Sequence, residues 1–113
     1  MDENLQQALT VALAALEAET TGPDDVAARL IEGGFRGPPL CDKTCPVWQF
    51  LKAALDSVGG LPSDAQLLVG RHSASIYGPY IYLARVMHPE NVRRFIHSYD
   101  SFPHCYPGLL PLS

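Results

Sequence analysis

The fold is decided by the stretch Ala65–Met87, which reads AQLLVGRHSASIYGPYIYLARVM. The stretch is rich in β-branched and aromatic residues, and glycine or glycine–proline interrupts it at Gly70 and at Gly78-Pro79. Short apolar runs separated by such breaks are typical of strands joined by tight turns. The pattern predicts two or three short antiparallel strands, with turns near residues 70–72 and 78–79. Serine and tyrosine alternate with alanine and isoleucine over residues 73–77, which indicates one wet face and one buried face.

Apolar residues recur at helical spacing in three segments before this stretch and in one segment after it. The predicted helices are residues 3–19, a segment from Pro23 to the Gly33-Gly34 pair, a segment from Pro46 to Gly59-Gly60, and a segment from Pro89-Glu90. Proline suits the first turn of a helix and glycine suits its end, so these residues mark the boundaries. The apolar faces predicted for the second and third helices include Ile31 and Val58.

The resulting prediction is one α+β domain over residues 1–113, because a chain of 113 residues is long enough for one core. It consists of three N-terminal helices, a small antiparallel β-hairpin or three-stranded sheet, and a C-terminal helix. Residues 1–22 are expected to form a peripheral N-terminal helix. Residues 100–113 are expected to form an irregular tail, since proline and glycine recur there and break regular structure.

Composition narrows the classes of function. Apolar residues make up 47% of the chain, the net charge is -4 and the pI is about 5.4. An acidic chain is a poor electrostatic binder of nucleic acid, because phosphates require several lysines or arginines on one face. The apolar runs are far shorter than the roughly 20 residues of a membrane span. Three cysteines and no signal peptide indicate reduced thiols and a cytoplasmic location.

Two cysteines lie four residues apart in the segment LCDKTCPVWQFL, residues 40–51. This spacing is compatible with a zinc site, although the sequence has no second closely spaced pair of cysteines or histidines to supply the other two ligands. The donors of such a site would be Cys41, Cys45, Cys105 and His104. The sequence favours no metal and no cofactor.

The position of Cys45 directly before Pro46 allows two other interpretations. A thiol at the start of a helix meets unpaired backbone N–H groups, which favour the thiolate, and His72 or His104 would then supply the base of a catalytic site. Alternatively, Thr44 or Cys45 caps the helix, and the Cys45 thiol is a small buried apolar group, as free cysteines in proteins commonly are. The structural interpretation is favoured, because no other catalytic motif accompanies the thiol.

The predicted hairpin carries the candidate binding surface. It consists of Arg71, His72, Tyr77, Tyr80 and Tyr82, because tyrosine and arginine are enriched in protein interfaces. Two alternatives stay open: the tyrosines cover a sheet face, and the arginine and histidine belong to a solvated turn. The alanine and leucine face of the first helix is a second candidate surface, which would form a homodimer.

Several motifs resemble a family of small, uncharacterised actinobacterial and actinophage proteins. They are Gly34-Phe35-Arg36-Gly37, Cys45-Pro46-Val47-Trp48-Gln49-Phe50-Leu51, Pro89-Glu90-Asn91-Val92-Arg93-Arg94-Phe95-Ile96, Tyr99-Asp100 and Tyr106-Pro107-Gly108-Leu109. The resemblance spans roughly residues 25–110. It implies a shared fold, attaches no activity, and implies that Cys45 is the family's single cysteine, with Cys41 and Cys105 incidental.

These observations favour a small cytosolic, non-enzymatic protein-binding module: a regulator, an adaptor or a phage-type inhibitor of a host protein. The first alternative is a thiol-dependent enzyme or redox protein that uses Cys45. The second is a structural zinc-binding or nucleic-acid-binding regulator.

Overall fold

The computed structural model describes residues 2–40 and 43–111. Within them the chain forms four α-helices, three β-strands and two short 3-10 turns. The helices are α1 (Glu3–Glu17), α2 (Pro23–Glu32), α3 (Pro46–Asp56) and α4 (Glu90–Ser101). The strands are β1 (Gln66–Val69), β2 (Ser73–Tyr77) and β3 (Tyr82–Met87), and the 3-10 turns are Pro103–Cys105 and Pro107–Leu109. The predicted α+β fold is confirmed.

The strands form one antiparallel sheet in the order β1-β2-β3. Ile76 at its centre lies opposite Leu67 on one side and Ala84 on the other. All three side chains are buried against the helices. A β-bulge between Ile76 and Tyr77 shifts the register, so that Tyr77 lies opposite Tyr82. One face of the sheet therefore supplies the core, and the other face is left open.

Helix α1 supplies a full leucine stripe to the core. Leu5, Leu9, Leu13 and Leu16 are all buried, and the helix contacts β3, α3 and α4. Burying a leucine contributes about 1.5–3 kcal/mol, so this stripe is a large part of the hydrophobic stabilisation. Residues 3–17 are thus integral to the core, in contrast to the peripheral position expected for residues 1–22.

Helix α1 also closes the outer edge of β3. The Gln6 side-chain amide donates to Arg85 O at 2.9 Å and accepts from Arg85 N at 2.9 Å, as a neighbouring strand would. Asp2 N donates to Leu83 O at 2.8 Å. On the opposite edge, Trp48 Nε1 donates to Leu67 O of β1 at 2.7 Å. Both edges of the sheet are therefore partly satisfied by side chains and backbone of the helical layer.

The start of α4 depends on α1. Its N-cap residue, Pro89, makes no side-chain capping bond. The Glu17 carboxylate accepts instead from Asn91 N at 3.1 Å and from Val92 N at 2.9 Å. A carboxylate is favourable at a helix N-terminus, because the unpaired N–H groups and the helix dipole are positive there. The last residue of α1 is thus the cap of α4.

Gly37, the second glycine of the motif Gly34-Phe35-Arg36-Gly37, lies where several backbone segments pack closely. Gly37 N donates to Leu109 O at 2.9 Å, and the Tyr99 hydroxyl donates to Gly37 O at 2.6 Å. Burial raises the pKa of Tyr99 to about 12, which keeps this donor protonated. A Cβ at Gly37 would overlap the backbone oxygen of Thr44. The motif therefore joins the tail, α4 and the approach to α3 through close backbone packing.

Three details differ from the sequence prediction. Helix α1 ends at Glu17 and not at residue 19, because Ala18 leaves the helical region and Glu19 has a positive φ of 62°. Val58 is exposed because α3 ends at Asp56, before this residue. Ile31 is also exposed, on the side of α2 next to Gly108 of the tail. The tail is held to the core, since Leu109 is fully buried.

Candidate functional site

The open face of the sheet contains a shallow depression of about 240 Å³. All three strands contribute to it, because residues that alternate with the buried ones point away from the helices. The side chains that surround it are Leu68, Ser73, Ser75, Tyr77, Tyr82 and Arg85. We call this set the open-face site. None of these side chains is acidic.

Two tyrosines form one wall of the open-face site. The bulge after Ile76 places Tyr77 opposite Tyr82, with ring centroids 4.3 Å apart and hydroxyl oxygens 2.6 Å apart. The hydrogen bond to Tyr82 raises the pKa of Tyr77 above its ordinary value of 10.0, and desolvation adds to the shift. The Tyr77 hydroxyl therefore stays protonated near neutral pH. Since one hydroxyl donates to the other, one O–H of the pair is left to donate outward.

Arg85 lies beside this pair. Its guanidinium carbon is 5.8 Å from the centroid of the Tyr82 ring, a cation–π distance. Gln6 holds the Arg85 backbone through the two hydrogen bonds at the edge of β3. In the part of the chain that the structure describes, one ion pair is recorded, Lys52 with Asp56. No described carboxylate therefore neutralises Arg85.

The turn between β2 and β3 projects an apolar tip beyond the open-face site. Gly78 N donates to Ile81 O at 2.8 Å and closes the turn. Tyr80 is 96% exposed and Ile81 is 62% exposed. We call Tyr80 and Ile81 the hairpin tip. Large apolar side chains exposed together at a turn are more typical of a contact surface than of a solvated loop.

The five residues of the predicted surface divide into two groups. Tyr77 and Tyr82 are in direct contact, and Tyr80 is at the adjoining tip. Arg71 and His72 lie in the turn at the other end of β2, whose five residues correspond to roughly 17 Å at about 3.3 Å per residue.

Sequence reasoning did not single out Arg85, Ser73, Ser75 or Leu68. A signal for the serines was present, since the alternation over residues 73–77 already indicated that they share the wet face. Arg85 and Leu68 could have been added by extending the same alternation to the neighbouring strands, but this needs the register between strands.

His88 secures the turn that carries Arg71 and His72. Its backbone N donates to His72 O at 2.8 Å, and its ring Nε2 lies 2.8 Å from Gly70 O. A carbonyl can only accept, so Nε2 carries the proton. Among the described residues, Nδ1 is buried without a hydrogen-bond partner. Burial lowers the pKa of His88 below its ordinary value of 6.5, and the nearby His72 lowers it further, against the Gly70 hydrogen bond, which raises it.

Cys45 lies where the structural interpretation expects it. It is the N-cap of α3, is 9% exposed, and its Sγ accepts from Trp48 N at 3.4 Å. It also lines a cavity of about 380 Å³ between α3, α4 and the β1–β2 turn. Arg71, Tyr99 and Asp100 are the polar residues that share this cavity among the described ones.

The histidines of the thiol interpretation are not brought to this cavity by the described residues. His72 belongs to the exposed turn next to Arg71, and His104 is exposed in the first 3-10 turn. Cys105 is exposed beside His104, and Cys41 lies outside the described residues. Within residues 2–40 and 43–111 no three histidine, cysteine or acidic side chains form a group that could hold a metal ion.

A wider apolar groove of about 670 Å³ runs between α1 and the end of α3. Its exposed walls include Val11 and Val58. The leucine stripe predicted to form a homodimer is not part of the exposed surface, because it is buried in the chain's own core. Dimerisation through α1 would have to use this groove and stays a prediction.

No helix among the described residues has the length and apolar character needed to cross a membrane. Comparison of the chain with protein-family models, with curated proteins and with solved structures finds no match. The open-face site and the hairpin tip, together with the cavity at Cys45, are therefore the observations from which a function can be inferred.

Proposed function

We propose that the protein is a small, cytoplasmic, non-enzymatic protein-binding module that acts as a regulator, adaptor or inhibitor of a partner protein. It docks through the hairpin tip and the adjoining open-face site. The observation that carries the proposal is the exposure of Tyr80, 96%, and of Ile81, 62%, beside the paired Tyr77 and Tyr82. The resemblance to small actinobacterial and actinophage proteins is consistent with such a role and stays a prediction.

The composition of the surface supports binding to a protein. Tyrosine provides a large apolar area and a polar tip, and few rotatable bonds have to be ordered on binding. Full burial of a side chain such as Ile81 contributes about 1.5–3 kcal/mol. Aromatic residues in well-packed positions commonly account for about 2 kcal/mol or more of binding free energy each. The tip thus offers two anchors of the expected kind.

The rigidity of the surface supports the same proposal. The Gly78–Ile81 hydrogen bond closes the turn, and the 2.6 Å hydroxyl contact fixes Tyr77 against Tyr82. Gln6 ties the third strand to α1 through two further bonds. A surface that is ordered before binding loses less conformational entropy when a partner docks.

The experiment is an affinity capture from host-cell extract, followed by binding measurements with the purified partner. The test variant replaces both tip residues, Tyr80→Ser with Ile81→Ser. The control is Val58→Ser, which changes an exposed apolar residue just after α3, away from the sheet. We expect the partner to bind the wild type and the control, and the tip variant to lose at least about 2 kcal/mol, or about 30-fold in affinity. Equal binding of all three proteins, each shown to be folded by circular dichroism, would refute the proposal.

The cavity at Cys45 favours a second candidate, a thiol-dependent activity. The thiol lies at the positive N-terminus of α3 and shares the cavity with Arg71. Against it, the sulfur is the acceptor for Trp48 N, which is a structural use of the same atom. If a Cys45→Ser variant keeps partner binding and stability, the thiol is not needed and the protein-binding proposal accounts for the function. Loss of a function with stability unchanged would favour the thiol.

A further inference from the structure

We propose that the open-face site recognises a side-chain carboxylate of an acidic segment in the partner protein. The proposal rests on the proposed function and names the chemistry of the partner. The hairpin tip supplies apolar contact, whereas the open-face site supplies hydrogen-bond donors and a positive charge. The two parts of the surface can therefore be tested separately.

The site is rich in unused donors. In the described part of the chain, the hydroxyls of the half-buried Ser73 and of Ser75, which is 8% exposed, make no hydrogen bond, although both residues line the depression. The Tyr77–Tyr82 pair has a further O–H to donate. A carboxylate is an acceptor with about four lone-pair positions, so it can use several of these donors at once.

Arg85 gives the site its charge preference. Within the described residues its guanidinium makes no hydrogen bond or ion pair, and its contact with the Tyr82 ring at 5.8 Å holds it at the edge of the depression. Arginine binds a carboxylate through two parallel N–H bonds, which adds orientation to the electrostatic attraction. A cation–π contact does not use the N–H groups as hydrogen-bond donors, so they stay available to a carboxylate.

The distribution of charge around the sheet supports an acidic partner. The chain has a net charge of -4, yet residues 65–89 contain no aspartate or glutamate and do contain Arg71 and Arg85. The strands thus give the open-face site the positive charge of Arg85 and no negative charge, and an acidic segment is complementary to it. Two arginines are few for a nucleic-acid backbone, which requires many phosphate contacts. A depression of about 240 Å³ suits a single side-chain carboxylate with its neighbouring aliphatic groups.

The test is an NMR titration of the full chain with two blocked peptides. One peptide alternates glutamate and leucine, and the other has glutamine at each glutamate position. We expect the glutamate peptide to shift the backbone amide signals of Ser73, Ser75 and Arg85. The glutamine peptide should bind at least about tenfold more weakly, which corresponds to a loss of about 1.4 kcal/mol or more in binding free energy. Added salt should weaken only the glutamate peptide, because it screens exposed charges.

Variants of the arginine make the test specific. Arg85→Gln should weaken the glutamate peptide about tenfold, and Arg85→Lys should give an intermediate loss because it keeps the charge but not the bidentate geometry. Arg93→Gln, an exposed arginine on α4, is the charge-matched control and should bind as the wild type does. Equal binding of the two peptides, shifts located elsewhere, no detectable binding, or an Arg85→Gln variant with unchanged affinity would each overturn the proposal.

The same variants separate this inference from the proposed function. In one outcome, the partner no longer binds the tip variant but still binds Arg85→Gln at every salt concentration. This result supports the protein-binding function and refutes the recognition of a carboxylate. Sensitivity to both changes supports both. Retention of the partner by the tip variant refutes the proposed function, whatever the peptides do.

Discussion

The capping of α4 by Glu17 leads to the sharpest prediction about stability. Replacement of Glu17 by alanine removes the acceptor for Asn91 N at 3.1 Å and for Val92 N at 2.9 Å. No other side chain caps this helix in the described structure, because the N-cap residue is Pro89. The first turn of α4 would lose both its hydrogen-bond partner and its favourable negative charge.

The magnitude follows from the two bonds. Loss of an N-cap costs about 1 kcal/mol, with a range of about 0.5–2, and hydrogen bonds to charged groups contribute about 1.5–3 kcal/mol. Glu17 is half-buried, so part of this is recovered by solvation of the freed N–H groups. We expect Glu17→Ala to lower the free energy of unfolding by about 2 kcal/mol, and Glu17→Gln, which keeps one acceptor, by about 1 kcal/mol. For a chain of 113 residues, 2 kcal/mol corresponds to a decrease in Tm of about 8 °C.

The assay is urea unfolding followed by circular dichroism, with amide hydrogen exchange as a local readout. Glu19→Gln is the matched control, since this exposed side chain is two residues away and makes no hydrogen bond to any residue that the structure describes. Exchange should accelerate at the amides of Asn91 and Val92 in the Glu17 variants and not in the control. If Glu17→Ala and Glu17→Gln both lie within about 0.5 kcal/mol of the wild type, the usual range for surface changes, the capping argument is wrong.

Three further predictions concern packing, pH and the thiol. Gly37→Ala should lower the free energy of unfolding by several kcal/mol or prevent folding, because the added methyl group meets the Thr44 backbone. Gly22→Ala should be tolerated, because there is open space around Gly22. Urea unfolding measures both variants. His88 has a lowered pKa in the folded state, so its contribution to stability is present above the ordinary value of 6.5 and is lost as the pH falls below it. Unfolding at pH 7.5 and 5.5 should therefore differ more for the wild type than for His88→Gln. Cys45→Ala should cost about 1 kcal/mol through loss of the cap, and Cys45→Ser less because serine caps well; equal stability of the two variants would contradict the capping role.

The elements of the fold could be predicted from the sequence because each one is signalled locally. Pro23 and Pro46 mark helix starts, and the breaks at Gly70 and Gly78 separate the strands where the pattern indicated. These signals depend on the backbone preferences of single residues, so no knowledge of distant contacts is needed.

The contacts that organise the site could not be predicted in the same way. Gln6 bonds to Arg85 and Glu17 to Val92, across separations of 79 and 75 residues, and no pattern within the chain signals such pairs. The bulge after Ile76 changes which residues of β3 face solvent, so counting alternate positions could not place Tyr82 opposite Tyr77. An amphipathic α1 likewise gives no indication of whether its leucines contact their own sheet or a second copy.

The two hydrogen bonds between the Gln6 side chain and the Arg85 backbone have a consequence for the behaviour of the protein in concentrated solution. A strand with free N–H and C=O groups along its edge is a template on which further chains can assemble into aggregates. The Gln6 side chain bonds to both the backbone N–H and the C=O of Arg85, so a further strand cannot pair with β3 at this residue. Substitution by leucine would keep the helix but uncover the edge, and the variant should precipitate at concentrations at which the wild type stays dispersed. A single amide on the first turns of the chain thereby limits how this sheet can grow.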